Sequence, residues 1–336
     1  MTAAAAVGVP VAVYTDASPE EDLGPGVDLL CAAGVEVRPP RSEAGWSAGS
    51  HADADYLLVG YQRIGEPELE RLPRLRGIVT RSVGTDGIDL AAAAARGVRV
   101  ANLPAVATEE VATHTLALAL AALRGVVVFD RAVRAGAWDP TAQVLRRPSE
   151  LTWGIVGMGR IGRAVARRAQ VLVGEVVGHD PATTTPDWPS GVARADTLDE
   201  LLVRADVLSL HVPLVAATRG LIGARELALL PADAVVVNVA RGAVLDETAL
   251  LDALDECHLA GAALDVLAEE PPVAPHPLVD HPRCVVTPHV AYLSAESAGQ
   301  AVLDQARQVV AWAQRDATLG SMSPAARRPA PNRGTS

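Results

Sequence analysis

The six residues Gly157-Met158-Gly159-Arg160-Ile161-Gly162 constrain this chain more than any other stretch. They follow an apolar run, Leu151–Val156, that reads as a strand, and they open a helix expected over Ile161–Val173. A lone G-x-G-x-x-G says little, but between a strand and a helix each glycine has a physical role. Gly157 permits the tight turn, Gly159 lets the backbone approach a pyrophosphate, and Gly162 allows the helix to pack closely on the strand. The helix N-terminus offers unpaired N–H groups and a partial positive charge to the phosphates. Arg160 adds a side-chain candidate, and Met158 and Ile161 complete the turn. The next strand, Glu175–Gly178, runs into His179-Asp180-Pro181. Asp180 is placed to accept from the adenosine ribose hydroxyls, and its charge repels a 2′-phosphate, which favours NAD over NADP. The bland alternative is an Asp that caps the turn before Pro181. S-adenosylmethionine enzymes also use glycine turns and ribose-binding acids, but this glycine spacing suits a dinucleotide better.

Around the turn the sequence alternates strand and helix signals, the pattern of a parallel sheet with crossover helices. In the first hundred residues, strands are expected at Val9–Tyr14, Val35–Val37, Tyr56–Val59, Leu75–Thr80 and Val98–Ala101. Helices are expected at Val27–Ala33, Glu66–Leu72 and Leu90–Arg96. One long Ala/Leu-rich helical stretch follows, Glu109 to Ala135. After the glycine turn a second strand series reads Glu175–Gly178, Val207–Val212, Ala234–Val239, Ala262–Val266 and Val285–Thr287, closed by a helix over Ala295–Gln314. The expected fold class is α/β with two doubly wound parallel-sheet domains. A Rossmann dinucleotide domain, 105–287, is inserted in a flavodoxin-like substrate domain, 1–104 and 288–318. The crossings fall near the prolines Pro104 and Pro288, and the tail 319–336 has a composition that does not support a packed structure.

Composition excludes several function classes. There is no lysine; all 29 basic residues are arginine. Schiff-base chemistry and a Walker-type P-loop both need a lysine. The net charge of −11 argues against a nucleic-acid partner. No apolar run approaches the roughly 20 residues of a membrane span. Met1 to Val7 lacks the basic and long apolar parts of a signal peptide. The cysteines Cys31, Cys257 and Cys284 lack metal-ligand spacing, so no metal is expected and a reduced, cytoplasmic compartment is.

Three polar residues stand at expected strand ends beyond the turn: Arg241 in Asn238-Val239-Ala240-Arg241-Gly242, Glu270 before Pro271, and His289 in Thr287-Pro288-His289. Ligands of doubly wound sheets bind outside the carboxyl ends of the strands, so these three can converge. A histidine to move a proton, a glutamate to orient and charge it, and an arginine to grip a carboxylate suffice to reduce a 2-keto acid. Alone, each has an ordinary reading, as a surface ion pair, a solvated loop acid and a satisfied core histidine.

With these motifs in view, the chain resembles the D-isomer-specific 2-hydroxyacid dehydrogenases. The shared residues are Gly154 through Gly162, Val212-Pro213-Leu214 with Thr218-Arg219-Gly220, Asn238 through Gly242, Leu264-Asp265-Val266 through Glu270-Pro271, and Thr287-Pro288-His289. Arg81-Ser82-Val83-Gly84-Thr85-Asp86-Gly87-Ile88-Asp89 matches in a form close to D-lactate dehydrogenases. Thr287 through Ser297 is similar to the C-terminal binding proteins, a co-repressor branch of the family. The resemblance spans about residues 55–315. It implies that Arg241 binds the substrate carboxylate and carbonyl oxygen, that backbone N–H groups at Val83-Gly84 hold the carboxylate's other side, and that His289, paired with Glu270, protonates the carbonyl oxygen. It places Asp265 at the nicotinamide carboxamide and Thr108, Val212, Pro213, Thr218, Val239 and Ala240 along NAD. It implies a homodimer through 109–135. Three departures stand out: Leu267 replaces the phenylalanine usual after Asp-Val, Gly87 the asparagine common before Ile-Asp, and Tyr292 the tryptophan of the co-repressor branch. Tyr292 and Tyr61, with Gln62, are expected to shape the substrate pocket. Glu270 disfavours formate dehydrogenases, which use glutamine there, and the missing lysine disfavours phosphite dehydrogenases. Two other readings stay open: an NAD-sensing co-repressor-like binding protein, and a reductase of a phosphonate or other specialised acid.

Overall fold

The computed structural model describes residues 8–17, 21–38, 46–183 and 187–321. The N-terminal stretch Met1 to Val7 and the tail beyond Ser321 lie outside them. The chain divides into two compact units. One takes the described residues of Met1–Val106 and Ala295–Ser336, the other is Ala107–Ser294. The crossings come a few residues later than the prolines suggested, so His289 and Tyr292 belong to the second unit.

In the first unit, β1 (Val11–Tyr14), α1 (Gly24–Ala32), β2 (Glu36–Arg38), β3 (Tyr56–Val59), α2 (Glu66–Glu70), β4 (Gly77–Thr80), α3 (Leu90–Ala95) and β5 (Arg99–Ala101) alternate as expected. The strands form one parallel sheet in the order β2-β1-β3-β4-β5, the flavodoxin-like arrangement. β1, β3 and β4 are buried at every position, which is why they read as continuous apolar runs and not as alternation.

The second unit starts with α4 (Thr108–Leu123) and α5 (Val126–Arg134). The expected single helix over Glu109–Ala135 is thus corrected to two helices bent by 58°. The break falls at Gly125, whose left-handed φ of 59° a glycine takes without penalty. The Ala/Leu-rich run before it and the apolar Val126-Val127-Val128-Phe129 after it read as one continuous helical stretch. Then come β6 (Thr152–Val156), α6 (Arg160–Ala169), β7 (Glu175–His179), β8 (Ala193–Arg194), α7 (Leu198–Leu202), β9 (Val207–Leu210), α8 (Ala224–Leu229), β10 (Ala234–Asn238), α9 (Glu247–Asp255), β11 (Leu259–Leu264), α10 (Pro277–Asp280) and β12 (Cys284–Val286). All seven strands are parallel, in the order β12-β11-β10-β9-β6-β7-β8. Counting from β6, this is the Rossmann order 3-2-1-4-5-6 with one further strand. The order reverses between β6 and β9, so a crevice opens at the carboxyl end of β6, where the glycine turn lies.

The last helix, α11 (Ala295–Ser321), runs past the expected end at Gln314 and packs against α1 and β4 of the first unit. The core of that face is built from Tyr14, Tyr56, Leu58, Val79 and Val309, all buried. The fold is therefore two doubly wound α/β units with the glycine-bearing one inserted in the other's sequence. Among the described residues no single helix is long and apolar enough to cross a membrane, although α4 and α5 pass that test as a bent pair.

Candidate active site

The glycine turn connects β6 to α6 with the geometry its spacing requires. Gly157 sits at φ 94°, and a Cβ there would lie 2.7 Å from the His211 carbonyl oxygen. A Cβ on Gly162 would overlap the Gly157 carbonyl, so only glycine lets α6 start this close to the strand. Gly159 caps α6 in an extended conformation, and a Cβ on it would meet open space. No side chain caps α6, and no acidic residue occupies its first turn. The exposed N–H groups and dipole of a ten-residue helix are thus left to an anion.

Asp180 makes the turn cap the sequence allowed and adds a bond to the glycine turn. Its Oδ1 accepts from the N–H groups of Ala182 (2.8 Å) and Thr183 (3.2 Å), a turn cap. Its Oδ2 accepts from the Thr183 hydroxyl (2.8 Å) and from the Met158 N–H inside the glycine turn (2.8 Å). Burial opposes its charge, but these bonds outweigh it and hold the carboxyl below the usual carboxylate range. The second strand end is therefore tied to the turn itself.

Around the turn, Val212 approaches Gly157, the Pro213 carbonyl accepts from the Thr218 hydroxyl (2.5 Å), and Ala240 N–H donates to Asn238 Oδ1 (3.0 Å). Val239 is buried beside them, and Thr108 is the first residue of α4. His211, at the end of β9, is a second histidine at this edge. Burial pushes its pKa down to about 3, which favours the neutral ring near neutral pH. It accepts no role as a neutral-pH acid.

Three loops bring Arg241, Glu270 and His289 together in the second unit. The His289 ring donates from Nδ1 to Glu270 Oε2 (2.6 Å), while Glu270 Oε1 accepts the Leu267 N–H (2.9 Å). Burial raises the cost of charge on Glu270. The bonds from His289 and Leu267 and the nearby positive charge of Arg241 outweigh it and keep the carboxyl below its ordinary value. Because Glu270 only accepts, Nδ1 carries hydrogen, and Nε2 is the nitrogen directed away from the pair. Gly242 explains the closeness of the loops: a Cβ there would collide with the Leu267–Ala268 backbone. Arg241 donates from Nη1 to the Ala240 carbonyl (2.8 Å), and Tyr292 meets the His289 ring edge-on, with centroids 6.4 Å apart.

Asp265, expected at the nicotinamide carboxamide, makes its contacts here within the second unit. It is 1% exposed and holds the segment that carries His289. Oδ1 accepts from the Thr287 hydroxyl (2.5 Å) and Val290 N–H (2.9 Å), Oδ2 from Ala291 N–H (2.9 Å), and its carbonyl from His289 N–H (2.8 Å). His289 itself has a left-handed φ of 51°. Burial disfavours the Asp265 charge, but His114, Thr287, Val290 and Ala291 together lower its pKa. A carboxyl depressed in the folded state stabilises it above the unfolded pKa, and that contribution is lost as pH falls through the folded value. Stability is therefore expected to fall on acidification below a pH of about 4, and Asp265→Asn to flatten that limb. Thermal melts across pH check this; an identical acid limb in the variant would remove Asp265 from the account.

The first unit carries the remaining sequence candidates at its strand ends. After β4, the carbonyls of Ser82 and Gly84 accept from Thr80 Oγ1 (3.2 Å) and Ser82 Oγ (2.7 Å), and that of Val83 from Asn102 Nδ2 (2.6 Å). This fixes the peptide planes around Val83-Gly84. Tyr61 is 70% exposed after β3, and its N–H donates to Asp16, as does Gly60 N–H (2.9 Å). Asp16, Asn102 and His114 were missed by the sequence reading, since single polar residues outside a recognised motif give no signal. Among the described residues no group of three or more His, Cys, Asp or Glu could hold a metal ion.

Comparison with known proteins identifies the family. Residues 116–291, just over half of the chain, match the family model "D-isomer specific 2-hydroxyacid dehydrogenase, NAD binding domain". The glyoxylate reductase of Aeropyrum pernix is 38% identical over 286 residues, which cover 83% of this chain and 85% of that protein. The D-3-phosphoglycerate dehydrogenase of Methanocaldococcus jannaschii is 36% identical over 263 residues, 77% of this chain; the chain spans about half (50%) of that longer relative. The D-lactate dehydrogenase of Aquifex aeolicus, solved with NAD and lactic acid, superposes with a TM-score of 0.81 at 27% identity, covering 92% of this chain and 96% of that one. A glycine cradle, an uncapped helix end and an acid at the next strand all fit a dinucleotide, and the matched family supplies the same assignment: the chain belongs to the D-isomer specific 2-hydroxyacid dehydrogenases, NAD-binding oxidoreductases that move hydride between NAD(H) and hydroxy or keto acids.

Proposed function

We propose that this protein interconverts a 2-keto acid and the corresponding D-2-hydroxy acid with NAD(H). The observation that carries this reading is the His289–Glu270 pair, 2.6 Å apart beside Arg241, on the same carboxyl edge of the sheet as the glycine turn. When bound, NAD(H) supplies or receives the hydride. The chain's own residues do the rest. Arg241 pairs with the substrate carboxylate and polarises the carbonyl. His289 gives a proton from Nε2 to the carbonyl oxygen in reduction and takes it back in oxidation. Glu270 stays ionised, fixes the ring and stabilises the imidazolium that precedes proton donation. Backbone N–H groups at Val83-Gly84, with Tyr61 and Tyr292, are the candidates for substrate recognition. The first unit is assigned as substrate domain and the inserted unit as NAD domain.

Asp180 is assigned to the adenosine ribose. Because it also anchors Met158 and Thr183, Asp180→Ala is expected both to weaken NADH binding and to erode the preference over NADPH. Titration with both cofactors measures this, and an unchanged NADH/NADPH affinity ratio would release Asp180 from that assignment.

We assign the chain to a cytoplasmic homodimer with no nucleic-acid or membrane partner. Support for the second copy comes from α5, which buries none of its residues and exposes Val126 (56%) and Val133 (47%), and from neighbouring Trp138 (87%) and Val144 (95%). Exposed apolar groups in such number mark an association surface. Sedimentation of the purified protein tests it.

A further inference from the structure

We propose that Glu110 and His114 on α4 are positioning residues for the His289 segment, His114 acting through Thr287 and Asp265, and Glu110 through Ser294. This rests on the proposed role of His289 as proton donor. The two residues are four apart and so share one face of the helix. At one end of the segment, His114 Nε2 lies 3.0 Å from Thr287 Oγ1 and 3.5 Å from Asp265 Oδ1. At the other, Ser294 Oγ donates to Glu110 Oε1 at 2.8 Å. Thr287 precedes His289 by two residues and Ser294 follows it by five, so α4 grips the chain on both sides of the histidine.

The hydrogen bonds have a defined direction. The Thr287 hydroxyl has one proton, and its 2.5 Å contact with Asp265 Oδ1, an acceptor, uses it. Nε2 of His114 must then carry hydrogen and donate to Thr287 Oγ1, which fixes the tautomer of the neutral ring. The chain runs His114 to Thr287 to Asp265, and the same Asp265 receives the N–H groups of Val290 and Ala291 on its carboxylate and that of His289 on its carbonyl.

Such restraint has a purpose. His289 is a non-glycine residue at φ 51°, a conformation that costs about 1–2 kcal/mol and persists only where its surroundings impose it. Glu270 orients the ring; the α4 contacts hold the backbone beneath it. Proton transfer needs donor and acceptor roughly 2.6–3.2 Å apart, and an ångström of displacement can cost on the order of 10²-fold in rate.

The test compares His114→Ala, His114→Gln and Thr287→Val with the full-length parent in keto-acid reduction, reading kcat, NADH affinity, the solvent isotope effect and thermal stability. His114→Ala is expected to lower kcat by about 10- to 100-fold, leave NADH affinity unchanged and raise the solvent isotope effect, as proton transfer becomes slower. Thr287→Val should reproduce this, and His114→Gln, which keeps a donor at similar reach, should restore most of the rate. Parental kcat and isotope effect in His114→Ala would overturn the proposal. So would a loss that follows thermal stability and that glutamine does not rescue. His289→Ala is the control. If it retains full turnover, the underlying reading fails; if it is inactive while His114→Ala is not impaired, only this inference fails.

Discussion

His289→Ala is expected to lower turnover by about 10²–10⁴-fold, the range for a lost general acid, with little change in NADH affinity. The expectation follows from geometry. Glu270 occupies Nδ1 at 2.6 Å and is held ionised below the usual carboxylate range, so only Nε2 is left for the substrate oxygen. The glycine turn and Asp180 belong to separate loops and keep their own contacts in the variant. Steady-state rates with fluorescence titration of NADH check both halves. Equal turnover would refute the assigned role, and equal loss of NADH affinity would show that the histidine segment supports the cofactor site instead.

Arg241→Ala is expected to cost about 2–5 kcal/mol in kcat/KM, the range for removing one partner of a desolvated charge pair, or about 30- to several-thousandfold. Arg241→Lys should recover only part, because an ammonium cannot reproduce the planar fork that meets a carboxylate with two parallel bonds. The loss should appear in kcat/KM for every 2-keto acid, since the carboxylate is common to them all. A variant that discriminates among the acids, with one reduced at the parental rate, would place Arg241 at the variable end of the substrate.

Much of this was legible because the relevant signals are local. Buried parallel strands are continuous apolar runs, and β3 (Tyr56–Val59) was read to the residue. The G-x-G-x-x-G turn between strand and helix is a backbone requirement, visible as missing side chains. Arg241, Glu270 and His289 could be collected because each stands in a motif near a strand end. What escaped depended on contacts between distant segments. The bend at Gly125 lay between an Ala/Leu-rich run and the apolar Val126-Val127-Val128-Phe129. α7 and α9 carried usable caps, Thr197 bonded to Glu200 N–H (3.1 Å) and Asp246 to the N–H groups of Thr248 and Ala249, but their weak apolar periodicity drew no helix. Asp265 was recognised in its motif, yet only the structure shows its carboxylate turned toward Thr287, Val290 and Ala291, and nothing in the sequence pairs His114 with Thr287 across 173 positions.

Sequence likewise leaves the substrate's side chain unread, because the residues proposed to recognise it, such as Tyr61 and Tyr292, would select by shape and carry no motif. The central claim is tested most directly by mixing the purified protein with NADH and a panel of 2-keto acids (glyoxylate, pyruvate, hydroxypyruvate, phenylpyruvate) and following NADH oxidation and the chirality of the product. Turnover with at least one of them is expected, with a D-2-hydroxy acid as product and loss of that turnover in His289→Ala. NADH binding without oxidation by any member of the panel, in a protein whose fold is intact, would contradict it.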